Sequence, residues 1–362
     1  MYIPCLNGLR AIAILFVIFS HLKLSSGLPS IFYDVFNFTN FGTIGVRLFF
    51  ILSGFLITTL LEKEFKISGK INIQLFILKR FLRIFPVYYF YLLTLIVLNF
   101  FNIINVENQA IYLGFLYLEN LNLFQETLLF PDAWLVRHSW SLSVEEQFYL
   151  IYPFIFKLLN SILNYKLLYF FAVVCLMGSF FRVLNYSYPD TSRLLGGSFL
   201  MHADFLFFGA GISYLINNNK ERLIFHIKPY KNYLLFLSVI FAVFSAKWEY
   251  LTAFHILFLS NMILFSCSFI LIYFVLFPWS IPGRVLELSL LKFIGKISYS
   301  LYIWQQLFLG STEEWSHYKI FTIFPLNITA TVACAMASFY LIEKPFFYIK
   351  NGFSKKAYFS AS

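Results

Sequence analysis

Residues 43–62 read TIGVRLFFILSGFLITTLLE, a stretch in which Arg47 and the terminal Glu62 are the ionisable groups. A helix rises about 1.5 Å per residue, so roughly 20 apolar positions cross the ~30 Å hydrocarbon core of a bilayer. Working outward, comparable runs recur at 6–22, 84–103, 142–160, 167–184, 199–216, 231–246, 255–276, 291–310 and 320–342. The 362 residues are 60% hydrophobic and 12% charged, with 49 Phe and 24 Tyr. Soluble domains hold roughly 45–50% apolar and about 25% charged residues. That contrast excludes a soluble globule and leaves no room for a large soluble domain. The pattern predicts an all-α polytopic membrane protein of ten transmembrane helices.

The net charge of +10 does not point to nucleic acid, because of where the charges fall. With both termini cytoplasmic, 19 of the 27 basic residues lie in inner loops and the tail. Six lie in outer segments, and Arg10 and Arg47 sit within or beside spans. This is the positive-inside distribution. The stretch 110–126 is apolar but interrupted by Glu119, Asn120 and Asn122, so it is read as interfacial; as a span it would invert every later loop. No basic region precedes Ala11–Phe19 and no small-residue cleavage site follows, so the first run is a span rather than a cleaved signal. Cys5, Cys175, Cys267 and Cys334 lie far apart, suggesting neither a disulfide framework nor a metal site. The expected organisation is a membrane domain over 1–350 with a short cytoplasmic tail over 351–362.

Ionisable residues inside spans are costly enough to count as functional candidates. Arg10 and His21 are 11 residues apart on the first helix, within about 20° of one face and roughly 16 Å along the axis. They read either as a functional pair or as groups anchoring the two helix ends. Arg80 and Arg83 are helical neighbours whose paired guanidiniums suit phosphate oxygens, or serve as a positive-inside anchor. In Trp140–Tyr149, Ser143 and Glu146 fit an S-x-x-E capping box, which leaves Glu145 the better catalytic candidate. Ser53-Gly54 is a small step that allows either close helix packing or room for a ligand. Ser298–Gln306, with Tyr299 and Gln305, places polar groups deep in the ninth span, where they need partners. His138, His202, His226, His255 and His317 show no ligand spacing.

Together these segments resemble the acyltransferase 3 family of integral-membrane acyltransferases. Asn7–Arg10 through His21 fits the family's Arg-x10-His pattern, and Gly45–Ile57 is similar to its GV-x-LFF-x-LSGFLI stretch. Arg80-x-x-Arg83, Trp140–Tyr149 (WSLSVEEQFY), Ile297–Trp304 and Leu341–Phe346 follow in the family's order, covering nearly the whole chain. Three departures stand out. Gln305 occupies a position often held by His, Arg47 stands where an acid is common, and Asp204 before Gly209 matches only loosely. Some members carry an extracytoplasmic esterase-like domain; nothing after Pro345 would hold one here, so a stand-alone membrane enzyme is expected.

The resemblance implies transfer of an acyl group, usually acetyl, from acyl-CoA to a sugar hydroxyl at or beyond the outer face of a bacterial cytoplasmic membrane. It implies no tightly bound cofactor, with acyl-CoA as donor substrate, a carbohydrate acceptor, the lipid bilayer as surroundings, and neither metal nor nucleic acid. His21 would be the acid/base or acyl carrier, and Glu145 its orienting partner or a second base. Arg10, Arg80 and Arg83 would bind the anionic donor, in a cavity lined by Ser53, Gly54, Glu146, Tyr299 and Gln305. The competing classes are a flippase for a lipid-linked sugar, against which stands the lack of similar halves, and a glycosyltransferase, which would need acidic residues that are scattered here. A non-catalytic scaffold would leave Arg10, His21 and Glu145 unexplained.

Overall fold

The computed structural model describes residues 2–121, 134–161, 166–188, 198–249, 251–310 and 315–359. These are helical apart from short connections and one isolated bridge between Ile104 and Trp315. In chain order the helices are α1 (Leu6–Leu22), α2 (Ser30–Asn37), α3 (Phe41–Ser68), α4 (Ile73–Phe100), α5 (Asn108–Phe115), α6 (Trp134–Arg137), α7 (Trp140–Ser161) and α8 (Lys166–Ser187). Then come α9 (Phe199–Ile227), α10 (Lys231–Trp248), α11 (Ala253–Leu276), α12 (Ile281–Leu286), α13 (Ser289–Lys296) and α14 (Ser298–Phe308). A 3-10 turn (Lys319–Thr322), α15 (Leu326–Ser338), a π-turn (Phe339–Glu343) and α16 (Lys344–Phe359) follow. Among the described residues five helices are long and apolar enough to cross a bilayer: α3, α4, α9, α11 and the continuous run Leu326–Lys350.

The centre is built on α3, which packs against α1 and α9. Gly54 and Gly209 make the second contact possible. A Cβ on Gly54 would strike the carbonyl of Leu206, and one on Gly209 would strike that of Ile51, so the two backbones touch. This is the small-residue packing that membrane helices use where lipid supplies no hydrophobic drive. Gly295 likewise lets α13 lie on the backbone of Asn7 at the start of α1.

Two buried ion pairs tie the second half of the bundle together. Arg47 meets Glu249 at 2.6 Å and Arg182 meets Asp204 at 2.6 Å. Both guanidiniums lie over the ring of Phe205, 4.9 and 5.4 Å from its centroid. Arg47 therefore joins α3 to the C-terminal end of α10, a structural employment that the sequence did not reveal. Removing one partner of such a pair costs about 3–5 kcal/mol by stranding the other charge.

Several expected spans change shape. The third begins at Ile73 rather than 84, because the Asn72 side chain caps it by accepting from the Leu75 N–H at 2.9 Å. Arg80 and Arg83 are thereby inside the helix rather than in the loop before it. The run 291–310 is not one continuous helix: Ile297 departs from helical geometry, and α13 and α14 meet there. The 11 residues of α14 reach about 16 Å, and its side chains are buried except for the half-buried Tyr299. The last helical run starts at Leu326 and continues through Phe359, past the expected boundary at 350. Of the stretch 110–126, α5 covers the beginning, and residues from 122 lie outside the described ones.

Candidate active site

A cavity of about 780 Å³, counted with its open mouth, lies between α1, α3, α4, α7 and α14. Its polar lining comprises Arg10, Ser53, Arg80, Arg83, Ser141, Glu145, Tyr149, Ser298, Tyr299 and Tyr302. Periodicity explains how α7 contributes three of these. Ser141, Glu145 and Tyr149 follow at i, i+4 and i+8, one stripe of one helix.

Hydrogen bonds fix this lining. Glu145 accepts from Ser53 Oγ at 2.8 Å and from Tyr149 Oη at 2.9 Å. Arg80 stacks on Tyr149 at 5.2 Å and on Phe76 at 5.6 Å. Tyr299 Oη donates to the carbonyl of Ile84 at 2.6 Å, holding α14 to α4 beside Arg83. Tyr302 Oη donates to the carbonyl of His138 at 2.6 Å and accepts from Ser141 Oγ at 2.6 Å.

The charges are not balanced by contact. Among the described residues Arg10, Arg80 and Arg83 form no ion pair and no hydrogen bond. Two carboxylates act on Arg10 and Arg83 from a distance. One is Glu145, and the other is Glu343, buried on the π-turn and held by Ser300 Oγ at 2.9 Å. Three guanidiniums facing one cavity have the chemistry to receive a polyanion, since each can grip phosphate oxygens through two parallel bonds. π-turns recur at functional sites, and this one sets Glu343 against the arginines.

His21 lies elsewhere. It does not line the cavity, although it shares α1 with Arg10. Its ring meets Trp134 edge-on at 5.6 Å, and Nδ1 is sealed from solvent without a partner. The buried Gln305 amide stands beside it as its polar neighbour. His138 is the second imidazole of this pocket, with both ring nitrogens buried and unpaired, packed on Tyr91 and Tyr302 at 5.7 and 5.4 Å. The Tyr302 hydroxyl thus separates the arginine cavity from the histidine cluster.

The expected site residues therefore divide into two groups. Arg10, Ser53, Arg80, Arg83, Glu145 and Tyr299 come together in the cavity, and His21 and Gln305 come together beyond it. Among the described residues no hydrogen bond or ion pair links Glu145 to His21. The carboxylate is instead committed to Ser53 and Tyr149 and belongs with the arginines. Gly54 does not line the cavity, because its open side is filled by the backbone of α9. Glu146 is buried outside the lining, with Oε1 unpaired. The expected capping box fails because α7 starts at Trp140, so Ser143 is already in the helix and donates to the Ser139 carbonyl at 3.2 Å.

Sequence reasoning missed the roles of Tyr149, Tyr302, Glu343 and His138. The 141–145–149 stripe would have exposed Tyr149. Tyr302, three residues after Tyr299, shares its face. No local pattern exposes Glu343 or His138, whose importance comes from contacts with distant helices. Among the described residues no three His, Cys, Asp or Glu side chains converge as a metal site.

This helical bundle, with a guanidinium-lined cavity beside a buried imidazole cluster, has the make-up of a membrane-embedded group-transfer protein. A family model described as an acyltransferase domain matches residues 3–343, and the chain belongs to that acyltransferase 3 family. It is 28% identical to the peptidoglycan O-acetyltransferase OatA of Listeria monocytogenes over 97% of this chain and 56% of that protein. It is 27% identical to the O-acetyltransferase OatA of Staphylococcus aureus strain NCTC 8325, over 99% of this chain and 59% of that protein. A candidate O-acetyltransferase of S. aureus strain COL is 29% identical over 95% of this chain and 57% of its own length. The chain thus spans less than two thirds of the curated relatives it matches. No solved structure gives a significant match.

Proposed function

We propose that this chain is an O-acyltransferase of a bacterial cytoplasmic membrane. It moves an acyl group, in the first instance acetyl, from cytoplasmic acyl-CoA to a hydroxyl of a cell-surface or lipid-linked carbohydrate. The observation that carries the reading is the set of three guanidiniums, Arg10, Arg80 and Arg83, around one cavity, without ion-pair partners among the described residues. A coenzyme A thioester supplies the phosphates such a set requires. The names of the relatives, which include a peptidoglycan O-acetyltransferase, favour a cell-wall glycan as acceptor.

In this reading the pyrophosphate rests on the arginines while the pantetheine arm runs toward Tyr302 and the histidine cluster. His21 takes the proton of the acceptor hydroxyl as its oxygen attacks the thioester carbonyl. The carbon–sulfur bond then breaks, and the leaving thiolate receives a proton from the imidazolium. Glu145, held by Ser53 and Tyr149, positions the guanidiniums and screens their mutual repulsion. Only the acyl group crosses, so no phosphate is buried in hydrocarbon. Purified protein in sealed vesicles, given labelled acetyl-CoA on the face bearing Arg80 and a soluble glycan on the other, should place label on the glycan as an ester. Translocation of a fluorescent sugar lipid across the vesicle membrane, with no acetyl label on any glycan, would instead identify a flippase.

The topology belongs to the same proposal: ten membrane-crossing segments with both ends cytoplasmic, including the shorter helices α1, α7, α8, α10 and the broken α13–α14. Its support is the 19-to-6 division of basic residues. A reporter fused after Phe359 should be active in its cytoplasmic form. Activity only outside the cytoplasm would overturn the arrangement and make 110–126 a span.

A further inference from the structure

The positive charge does not end at the arginines that line the cavity. Helix α16 packs against α4, and it carries Lys350 onto that contact, half-buried, with Nζ 4.8 Å from the ring centroid of Phe347. The charges acting on Lys350 include those of Arg83, Arg80 and Lys79, and that of Glu343 in opposition. Helix geometry explains the placement. Glu343 ends the π-turn and Lys350 follows seven residues later, within about 20° of the same face and roughly 10 Å further along the axis. The face that aims Glu343 at Arg10 and Arg83 therefore delivers Lys350 to the α4 turn bearing Lys79 and Arg80. Like charges so placed repel by an amount that grows with burial, and a ligand anion relieves it.

A coenzyme A thioester carries its negative charge in two places, a pyrophosphate and, beyond it, a phosphomonoester on the ribose. The arginines are arranged for the first. We propose that Lys350, with Lys79, forms an outer subsite for the ribose phosphomonoester of a 3′-phosphoadenosine nucleotide. This rests on the acyl-CoA reading above and assigns to the C-terminal helix the recognition of the donor's nucleotide end. The subsite lets the protein distinguish acyl-CoA from other thioesters that share the pantetheine arm, such as dephosphorylated or carrier-bound forms.

The test compares acetyl-CoA with acetyl-3′-dephospho-CoA in the unaltered protein and in Lys350→Gln, Lys350→Arg and Arg83→Ala, reconstituted in phosphatidylcholine vesicles. The unaltered protein should prefer acetyl-CoA by about tenfold or more in kcat/KM, the size of one charge-assisted contact. Lys350→Gln should lower kcat/KM for acetyl-CoA by that factor and leave the dephosphorylated donor nearly unaffected, abolishing the preference. Lys350→Arg should restore it. Arg83→Ala should weaken both donors while keeping their ratio. Undiminished discrimination in Lys350→Gln overturns the subsite, as does equal loss for both donors, which would mark a structural role. Repeating the assay with added phosphatidylglycerol separates the other source of phosphate: a Lys350→Gln defect confined to those vesicles would assign the residue to a lipid headgroup and overturn the proposal. Should Arg83 matter while Lys350 discriminates nothing, the subsite alone falls. Absence of any acetyl-CoA turnover would remove the donor reading and the subsite together.

Discussion

Replacing His21 with Ala should lower acyl transfer by about 10²–10⁴-fold, the contribution of a positioned acid/base, with the protein still inserted and at normal abundance. The expectation rests on where the imidazole sits. Nδ1 is sealed from solvent, and the buried Gln305 amide and His138 imidazole are its polar neighbours. His21→Gln is the informative companion, because it fills the space against Trp134 and keeps a hydrogen-bonding group but cannot accept and return a proton. Comparable loss in both variants, with KM for acetyl-CoA little changed, would place the defect in the chemical step. Near-normal turnover in His21→Gln would return the residue to packing against Trp134 at the helix end.

The parts of this molecule that were legible in the sequence are those set by local patterns. Leu6–Leu22 follows from an apolar run whose polar residues, Asn7, Arg10, Ser20 and His21, fall toward its two ends, and the structure ends that helix at the expected residues. Arg80 and Arg83 are three apart on a helix, so their convergence needed no tertiary knowledge. The break at Ile297 was hidden because 291–310 is as apolar as a span. Just before the break Gly295 lies on the backbone of Asn7, a contact between chain segments nearly 290 residues apart. The pairing of Glu145 with His21 was an inference from two conspicuous residues on different helices. Which conspicuous residues meet depends on the packing of α1, α7 and α14, and that packing gave the carboxylate to Ser53 and Tyr149. Arg47 was conspicuous for the same reason and proved to be engaged with Glu249. An ionisable residue in an apolar helix announces that it has a partner; it does not say whether the partner is protein or ligand.

That distinction makes the arginine pair the sharper test of the donor site. Arg80→Ala with Arg83→Ala should raise KM for acetyl-CoA at least tenfold while changing KM for the glycan little. Charge-assisted hydrogen bonds contribute roughly 1.5–3 kcal/mol each, and among the described residues the paired guanidiniums make no hydrogen bond or ion pair to lose. The two positions should not be equivalent. Arg80 leans on Tyr149, which donates to Glu145, so its removal also loosens the carboxylate and should lower kcat. Arg83 makes no such stack, and Arg83→Ala should act on KM alone. Arg83→Lys should recover only part of the loss, because an ammonium keeps the charge without the two-pronged geometry that phosphate oxygens accept. If KM for both substrates rises equally, or if insertion fails while the kinetics of the inserted fraction stay normal, the pair anchors α4 at the membrane surface and the cavity binds something other than the donor's phosphates.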